Sequence, residues 1–528
     1  MAGLRMRSRD VASGRAPRRP APGWLRWCAG SVLVAGGLFA LYLRQAQTWR
    51  PDSDTAAIAL QAWEMIHGNV LLHGWWLADL SFFTTELPEY MLVESVRGLS
   101  PEVVHVCAAL TYTLLVLLAA LLAKGRAHGR EGLVRALLAL GMMLSPGIFR
   151  GTNTLLGGPN HTGTAVPILL LLLLLDRAEG WERRWPVPAA ACLVLTWVQI
   201  ADPLATYAAA APLALVSGLR AATRRPGARP ERRYDLALTA SAAGSIPLAY
   251  AVVAAIHAAG GFYVHPVGGP LLGSVSAVPG HALAVGQSVL VLFGADFFGQ
   301  PSVAWAALAL LHLAGVAVAA LGFLVGVRRF FSGLDRVGQV LVAGTIFLLG
   351  AGIFGTHVPN VTFAHEIAPL LPFCAVLAGR LLAAPLIQAR LEPVLAVVLA
   401  AYFGALCYAA TQAPAPAQNQ AAADWLVAHG FTYGLAGYWQ ADSITFDSGG
   451  RVTVAPLAPG TTAPYQWEAK ATWFDARLHY ANFVITKGPA GGIYSSFGPP
   501  AHIYHYEAYT ITVWSKNLLP LLSAGGRQ

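Results

Sequence analysis

Hydrophobic positions in this chain run in long unbroken stretches, where a soluble domain would alternate them with polar ones. Each stretch is close to the roughly 20 apolar residues a helix needs to cross a bilayer core. The pattern predicts spans at 24–45, 102–123, 133–149, 162–176, 186–201, 203–219, 236–258, 302–327, 336–355, 366–384 and 393–411. The expected fold class is an α-helical polytopic membrane protein of about eleven transmembrane helices.

The pattern changes in three places. Residues 46–101 and 259–301 are too long to be turns, and beyond 411 the spacing becomes that of a small α/β domain. Within the first, Ile58, Ala62, Met65 and Ile66 share one helical face while Gln61 and Glu64 lie off it. That predicts an amphipathic helix over 55–67 resting on the membrane surface and ended by Gly68-Asn69. Residues 259–301 are rich in Gly, Pro and Val, and 282–293 are expected to lie in the interface. The transmembrane domain spans 24–411, behind a basic N-terminus over 1–23. A stiff linker over 412–418 then leads to a soluble domain over 419–516, with a flexible tail at 517–528. In that domain a helix is expected over 419–428 and strands over 433–438, 451–456, 482–486 and 508–514.

Composition agrees: 56% of residues are hydrophobic and 12% charged. The net charge of +9 does not point to nucleic acid, because the Lys and Arg residues sit in short loops between spans. They gather in alternate loops, at Lys124/Arg126/Arg130/Arg135, Arg177/Arg183/Arg184, Arg220–Arg233, Arg328/Arg329/Arg336 and Arg380/Arg390. The other loops hold almost none beyond Arg50, Arg97 and Arg150, so the N-terminus is expected inside and the C-terminal domain outside. The basic N-terminus, with no convincing cleavage site after the first run, reads as a retained signal anchor. Little lysine and much Ala, Gly and Arg fit a GC-rich bacterial genome, hence the plasma (inner) membrane. All five cysteines (Cys28, Cys107, Cys192, Cys374, Cys407) fall in apolar runs, with neither a disulfide framework nor zinc spacing.

Candidate chemistry gathers at the outer edges of spans. Trp49-Arg50-Pro51-Asp52-Ser53-Asp54-Thr55 directly follows the first run. Asp54 or Thr55 can cap the helix that begins there, and a carboxylate of the pair can take a proton from a hydroxyl or hold a divalent ion. In the next outer loop Arg150 and His161 suit a phosphate. Equally, Asn160-His161-Thr162 can cap the following span while Arg150 reaches toward headgroups. Asp202-Pro203 reads first as a helix cap and second as part of a pocket shared with Asp54. The last outer loop holds His357, His365 and Glu366, at a spacing that is not a helix-face metal pattern.

The Pro51-Asp52-Ser53-Asp54 opening after a retained span, the Met65-Ile66-His67-Gly68-Asn69 close, some ten spans and a C-terminal outer domain resemble the GT-C superfamily of integral-membrane glycosyltransferases. Protein O-mannosyltransferases, the oligosaccharyltransferase catalytic subunit and aminoarabinose transferases belong to it. The resemblance implies a polyprenyl-phosphate-linked sugar donor, an extracytoplasmic acceptor, an essential first-loop acid (Asp54, with Asp52 second) and a polar residue near the donor phosphate, here His365. Where bacterial members carry a Lys-Pro-Pro-like segment, this chain has Thr84-Thr85-Glu86-Leu87-Pro88-Glu89-Tyr90, which puts Glu86 and Glu89 in the substrate-binding position. A transporter or flippase would instead place charge within the spans and show repeats, and neither is evident. A non-enzymatic envelope scaffold leaves the elaborate first loop unexplained.

Overall fold

The computed structural model describes residues 23–158, 161–182, 184–224, 229–266, 271–356, 360–488 and 492–523. Asn160, Arg183, Arg225, His357 and the basic 1–22 lie outside the described residues, as do 524–528.

The first half of the chain runs α1 Gly23–Ala46, α2 Ser53–Ile66, strand β1 Trp75–Leu77, α3 Glu86–Arg97, α4 Glu102–Lys124, α5 Gly129–Met143, α6 Arg150–Leu156, α7 Thr162–Ala178 and α8 Pro186–Ala201. A π-helical turn, Thr206–Ala210, opens α9 Ala211–Thr223, followed by α10 Arg229–Ala258, β2 Tyr263–Val264 and α11 Val278–Leu292. Then come α12 Val303–Arg329, α13 Arg336–Phe354, α14 Leu370–Gln388 and α15 Glu392–Ala410. The C-terminal part holds α16 Gln420–Ala428, β3 Tyr433–Gly437, α17 Tyr438–Asp447, β4 Thr453–Leu457, β5 Ala469–Lys470, β6 Phe483–Lys487, β7 His502–Tyr506 and β8 Tyr509–Val513.

Among the described residues seven helices are long and apolar enough to cross a membrane: α4, α10, α12, α13, α14, α15 and the segment Val275–Leu292 that contains α11. Large apolar side chains such as Leu310, Leu321 and Leu324 on α12 and Val397 and Phe403 on α15 face outward. Such a surface needs lipid against it. The run expected as a span over 133–149 is helical only to Met143, because Pro146 disfavours helical backbone before it and cannot continue the turn.

α11 lies across one end of the bundle. Before it, Gly273 donates its N–H to the Phe354 carbonyl at the end of α13 (2.8 Å). After it, Gly294 packs on Gly147, just past the end of α5, so tightly that a Cβ on Gly147 would meet the Gly294 Cα at 2.6 Å. Both contacts are at the same end of the bundle, where α5 and α13 finish.

The opposite end is laced by ion pairs. Arg380 bonds Asp176 (2.7 Å) and Asp335 (2.6 Å), while Arg336 (2.5 Å) and Arg224 (3.0 Å) share Asp235. Arg336 and Arg380, expected only as loop cations that set topology, are in fact packed inside, and Arg336 is 3% exposed. Breaking a buried pair on one side costs about 3–5 kcal/mol, since the other charge stays desolvated. Asp235→Asn is therefore expected to lower the thermal midpoint in detergent sharply, and adding Arg336→Gln should recover part of the loss.

The soluble part is not a module on a tether. Its five-stranded sheet, in the order β4-β3-β6-β8-β7, is parallel through β4, β3 and β6 and antiparallel beyond. One face of that sheet packs in a single apolar core with α2, α3 and the start of α4, through Leu435, Phe446, Trp473 and Trp514 against Ala59, Leu72 and Tyr90. A second, three-stranded sheet joins β1 to β2 in parallel and to β5 antiparallel, so three distant segments share it. The expected linker is fastened too, Ala415 donating to the Gln47 carbonyl at the end of α1 (2.9 Å). Residues 517–523, expected to be flexible, are part of the core: Leu518 and Leu519 are buried and Asn517 caps neighbouring backbone.

Candidate active site

The helix after the first span starts with a reciprocal cap. Asp52 Oδ1 accepts from the Thr55 N–H (3.1 Å), and the Thr55 hydroxyl accepts from the Asp52 N–H (3.0 Å). This satisfies two otherwise free donors of the first turn. The cap is therefore Asp52, and not Asp54 or Thr55 as the spacing suggested. Asp54, one turn position in, is left with its carboxylate exposed and accepts from the Tyr438 hydroxyl of α17. The amphipathic helix expected on the membrane surface is instead covered on both sides: Gln61 is buried, donating to Glu468, and Glu64 is bonded by Lys470. The C-terminal part occupies the face that sequence assigned to lipid or water.

Desolvation by the surrounding protein, then the Asp52 and Asp79 charges, push the Asp54 carboxyl up to about 6, and the Tyr438 hydrogen bond holds it back. Burial also raises the Asp52 carboxyl.

The second group forms where α7, α8 and the 360–369 segment meet. His161 sits just before α7 at φ +58, a left-handed conformation rare for a side-chain-bearing residue. Its ring does not cap α7. Nδ1 faces Asp202 Oδ2 at 2.8 Å and Nε2 faces Glu366 Oε2 at 3.3 Å. Asp202 also accepts from the Thr164 hydroxyl and, through Oδ1, from the Leu204 N–H (2.9 Å), so it is both a turn cap and a partner for histidine. Burial opposes the charged imidazole, but the two carboxylates and their hydrogen bonds outweigh it and hold His161 protonated well above its ordinary range. The His365 ring lies parallel to His161 at 6.1 Å, and burial, with the cation beside it, pushes it down to about 4. Two histidines in one cluster thus carry one positive charge.

Close backbone approaches lock these pieces together. Gly158, at φ +149, passes Thr55 so closely that a Cβ would meet its methyl at 2.3 Å, and a Cβ on Gly163 would meet Glu86 at 2.1 Å. The Ser81 and Phe82 N–H groups donate to the Ala201 carbonyl at the end of α8. That staple holds Asp79 between the two groups: its carboxyl is raised by desolvation and by Glu366, with His161 opposing, and Asp54 in turn feels Asp79.

The other expected site residues divide. Glu86 joins the His161 group; burial pushes its carboxyl up to about 8, with Asp202 and Glu89 adding to it and the Thr85 hydroxyl bond working against it. Glu89 turns toward α4, accepting from Thr111 (2.6 Å), and burial brings it to about 7. Arg150, its side chain 41% exposed, is paired with Asp296 of the 259–301 segment at 2.8 Å. Among the described residues no three His, Cys, Asp or Glu side chains come together to hold a metal ion.

Sequence reasoning missed Asp79 and the contributions of the C-terminal part. Glu468 and Asp442 are buried close enough to Asp54 for its charge to raise both carboxyls, after desolvation, with Glu468 adding to Asp442, and both Asp442 oxygens lack a partner. The one local signal was Asp79 itself, an acid directly after the apolar Trp75-Trp76-Leu77-Ala78.

No protein-family model matches the sequence, and no curated protein matches it. Solved structures do match in fold. ArnT from Cupriavidus metallidurans in the apo state superposes with TM-score 0.57 at 14% identity, over 96% of this chain and 99% of that one. The same protein bound to undecaprenyl phosphate gives 0.56 at 13%, over 96% and 100%. The apo oligosaccharyltransferase of Archaeoglobus fulgidus gives 0.52 at 13%, over 88% of this chain and 70% of that one. The chain therefore shares its fold with these two proteins, over 96% of its length in the case of ArnT.

Proposed function

We propose that this protein transfers a sugar from a polyprenyl-phosphate-linked donor to a hydroxyl-bearing acceptor in the extracytoplasmic space, a cell-envelope glycan, lipid or protein. The observation that carries the reading is Asp54. It is a carboxylate spared from capping duty, exposed at the bundle end where α5 and α13 finish, and tuned to about 6. A base should have a pKa near the working pH and an open path to its proton. The acceptor oxygen attacks the anomeric carbon, Asp54 takes its proton, the bond from that carbon to the phosphate oxygen breaks, and polyprenyl phosphate leaves. A single displacement inverts the anomeric centre. The His161 imidazolium, with an N–H edge toward Glu366, supplies the positive charge for the leaving phosphate. His365 and Glu86 line the same group and Glu89 stands behind it, while Arg150 acts at a distance by holding 296 in place. The fold shared with ArnT, which binds undecaprenyl phosphate, supports the donor class.

The membrane layout that fits is eleven spans with α11 lying flat, the N-terminus in the cytoplasm and the C-terminal part outside the inner membrane. The test is purified protein in lipid nanodiscs with a panel of radiolabelled polyprenyl-phospho-sugars and a panel of hydroxyl-bearing envelope glycans, lipids and peptides as acceptors. Release of polyprenyl phosphate from at least one donor is expected. Release from none, with the protein folded, would remove the reading.

A further inference from the structure

The start of α17 brings an aromatic wall to the candidate base. Tyr438 donates its hydroxyl to Asp54, and its ring lies 5.2 Å from Trp439 on one side and 5.6 Å from Tyr465 on the other. Trp439 is 51% exposed, an unusual state for an indole beside a buried core. It is not on a loose loop. Its carbonyl accepts from Asn419 Nδ2 (3.0 Å) and from the Ser443 hydroxyl (3.0 Å), and the Ser53 hydroxyl donates to the Tyr438 carbonyl (2.8 Å). One contact thus ties the wall to the residue next to Asp54, and its backbone is fixed where its side chain is open.

From this geometry we infer that Trp439, with Tyr465, is the acceptor subsite and stacks on a pyranose ring that carries no negative charge. The inference rests on the transferase reading and names its acceptor class. An indole face meets the C–H face of a sugar ring as it meets other apolar, slightly positive surfaces. A ring stacked there presents its equatorial hydroxyls sideways, toward Asp54. The sign of the acceptor follows from the groups around it: Asp52, Asp54, Asp79, Asp442 and Glu468 are all acids whose carboxyls burial raises, and no described hydrogen bond or ion pair brings a Lys or Arg to any of them. A phosphorylated sugar or a uronic acid would find no cation there to pair with, and its charge would compete with ionisation of Asp54. Because Trp439 belongs to the C-terminal part, this part would select the acceptor while the bundle holds the donor.

The test is a calorimetric titration of full-length protein in nanodiscs, without donor, with cellohexaose, mannohexaose and chitohexaose, and with hexagalacturonate as the charged control. At least one neutral hexaose should bind and the hexagalacturonate should not. Trp439→Ala should weaken that binding about 10-fold, and Trp439→Phe, which keeps a ring, should retain most of it. In turnover, Trp439→Ala should raise the acceptor KM by a similar factor and lower kcat less. No binding by the wild type, equal binding by Trp439→Ala, or tighter binding of the uronate overturns the inference. An indole that only anchors to headgroups would give the first of these results. Since the titration needs no donor, sugar binding without polyprenyl phosphate release would sink the transferase reading alone, and release without sugar binding would sink this subsite alone.

Discussion

Asp54→Asn is expected to reduce polyprenyl phosphate release by about 10²–10⁴-fold, the usual worth of a positioned general base. The amide is nearly isosteric and can still accept from Tyr438, so the fold and the Asp52 cap should survive. The same change at Asp52 acts through the helix start: Asn caps about as well as Asp, so Asp52→Asn should change stability little and lower turnover far less. A comparison of the two variants, with thermal midpoints measured alongside, separates base from cap. The pH dependence sharpens it. Wild-type activity should rise as pH increases through about 6, because the base must be ionised to accept a proton. Tyr438→Phe removes the hydrogen bond that favours the ionised form, so this rising limb should move to higher pH. Equal losses in both Asn variants with unshifted limbs would take Asp54 out of the base role.

The contrast between these two aspartates also shows what local sequence carries. An acid pair behind the first apolar run was readable because a span end is a rare place for two carboxylates. Which of them caps was not, since the cap depends on whether Thr55 turns its hydroxyl back to residue 52. Six of the expected spans correspond to described helices long and apolar enough to cross a membrane, α4, α10 and α12 to α15, while Pro146 cut another short and the seventh such segment, Val275–Leu292, was not read as a span. His161 and Asp202 each stood out as polar residues at span ends, yet their pairing joins two loops 41 residues apart and appears only once α7 and α8 pack. The larger failures share one cause. The face of α2 that looked membrane-bound is covered by a sheet some 380 residues later in the chain, and the same packing delivers Tyr438, Asp442 and Glu468 to Asp54. The partner of Arg150 was illegible for a related reason: Asp296 lies in a distant segment. Sequence periodicity reports what an element buries, not which part of the chain covers it.

The His161 group gives the second large effect. If the imidazolium neutralises the leaving phosphate, His161→Ala should cost about 10²–10³-fold in release, as loss of one preorganised donor does elsewhere. The pH profile distinguishes charge from shape. In the wild type, Asp202 and Glu366 keep His161 protonated well above its ordinary range, so activity should stay flat through neutral pH once Asp54 is ionised. Removing one carboxylate lowers that pKa, and because the protonated form is the active one, activity should then fall as pH rises through the lower value. Glu366→Gln is the safer variant, since the Glu366 side chain is 38% exposed while Asp202 is buried. It should turn a one-sided profile into a bell, with the rising limb unmoved or slightly raised, because without Glu366 the Asp79 carboxyl ionises more readily and its charge raises Asp54. The same change bears on stability. A histidine whose pKa is raised on folding contributes most below its unfolded value near 6.5 and loses that contribution as pH climbs through the folded value. The gap in thermal midpoint between wild type and Glu366→Gln should therefore be widest at neutral and lower pH and narrow in alkali. A bell in activity without that narrowing would mean that the falling limb belongs to another group, and His161 would then be a structural link between α7 and α8.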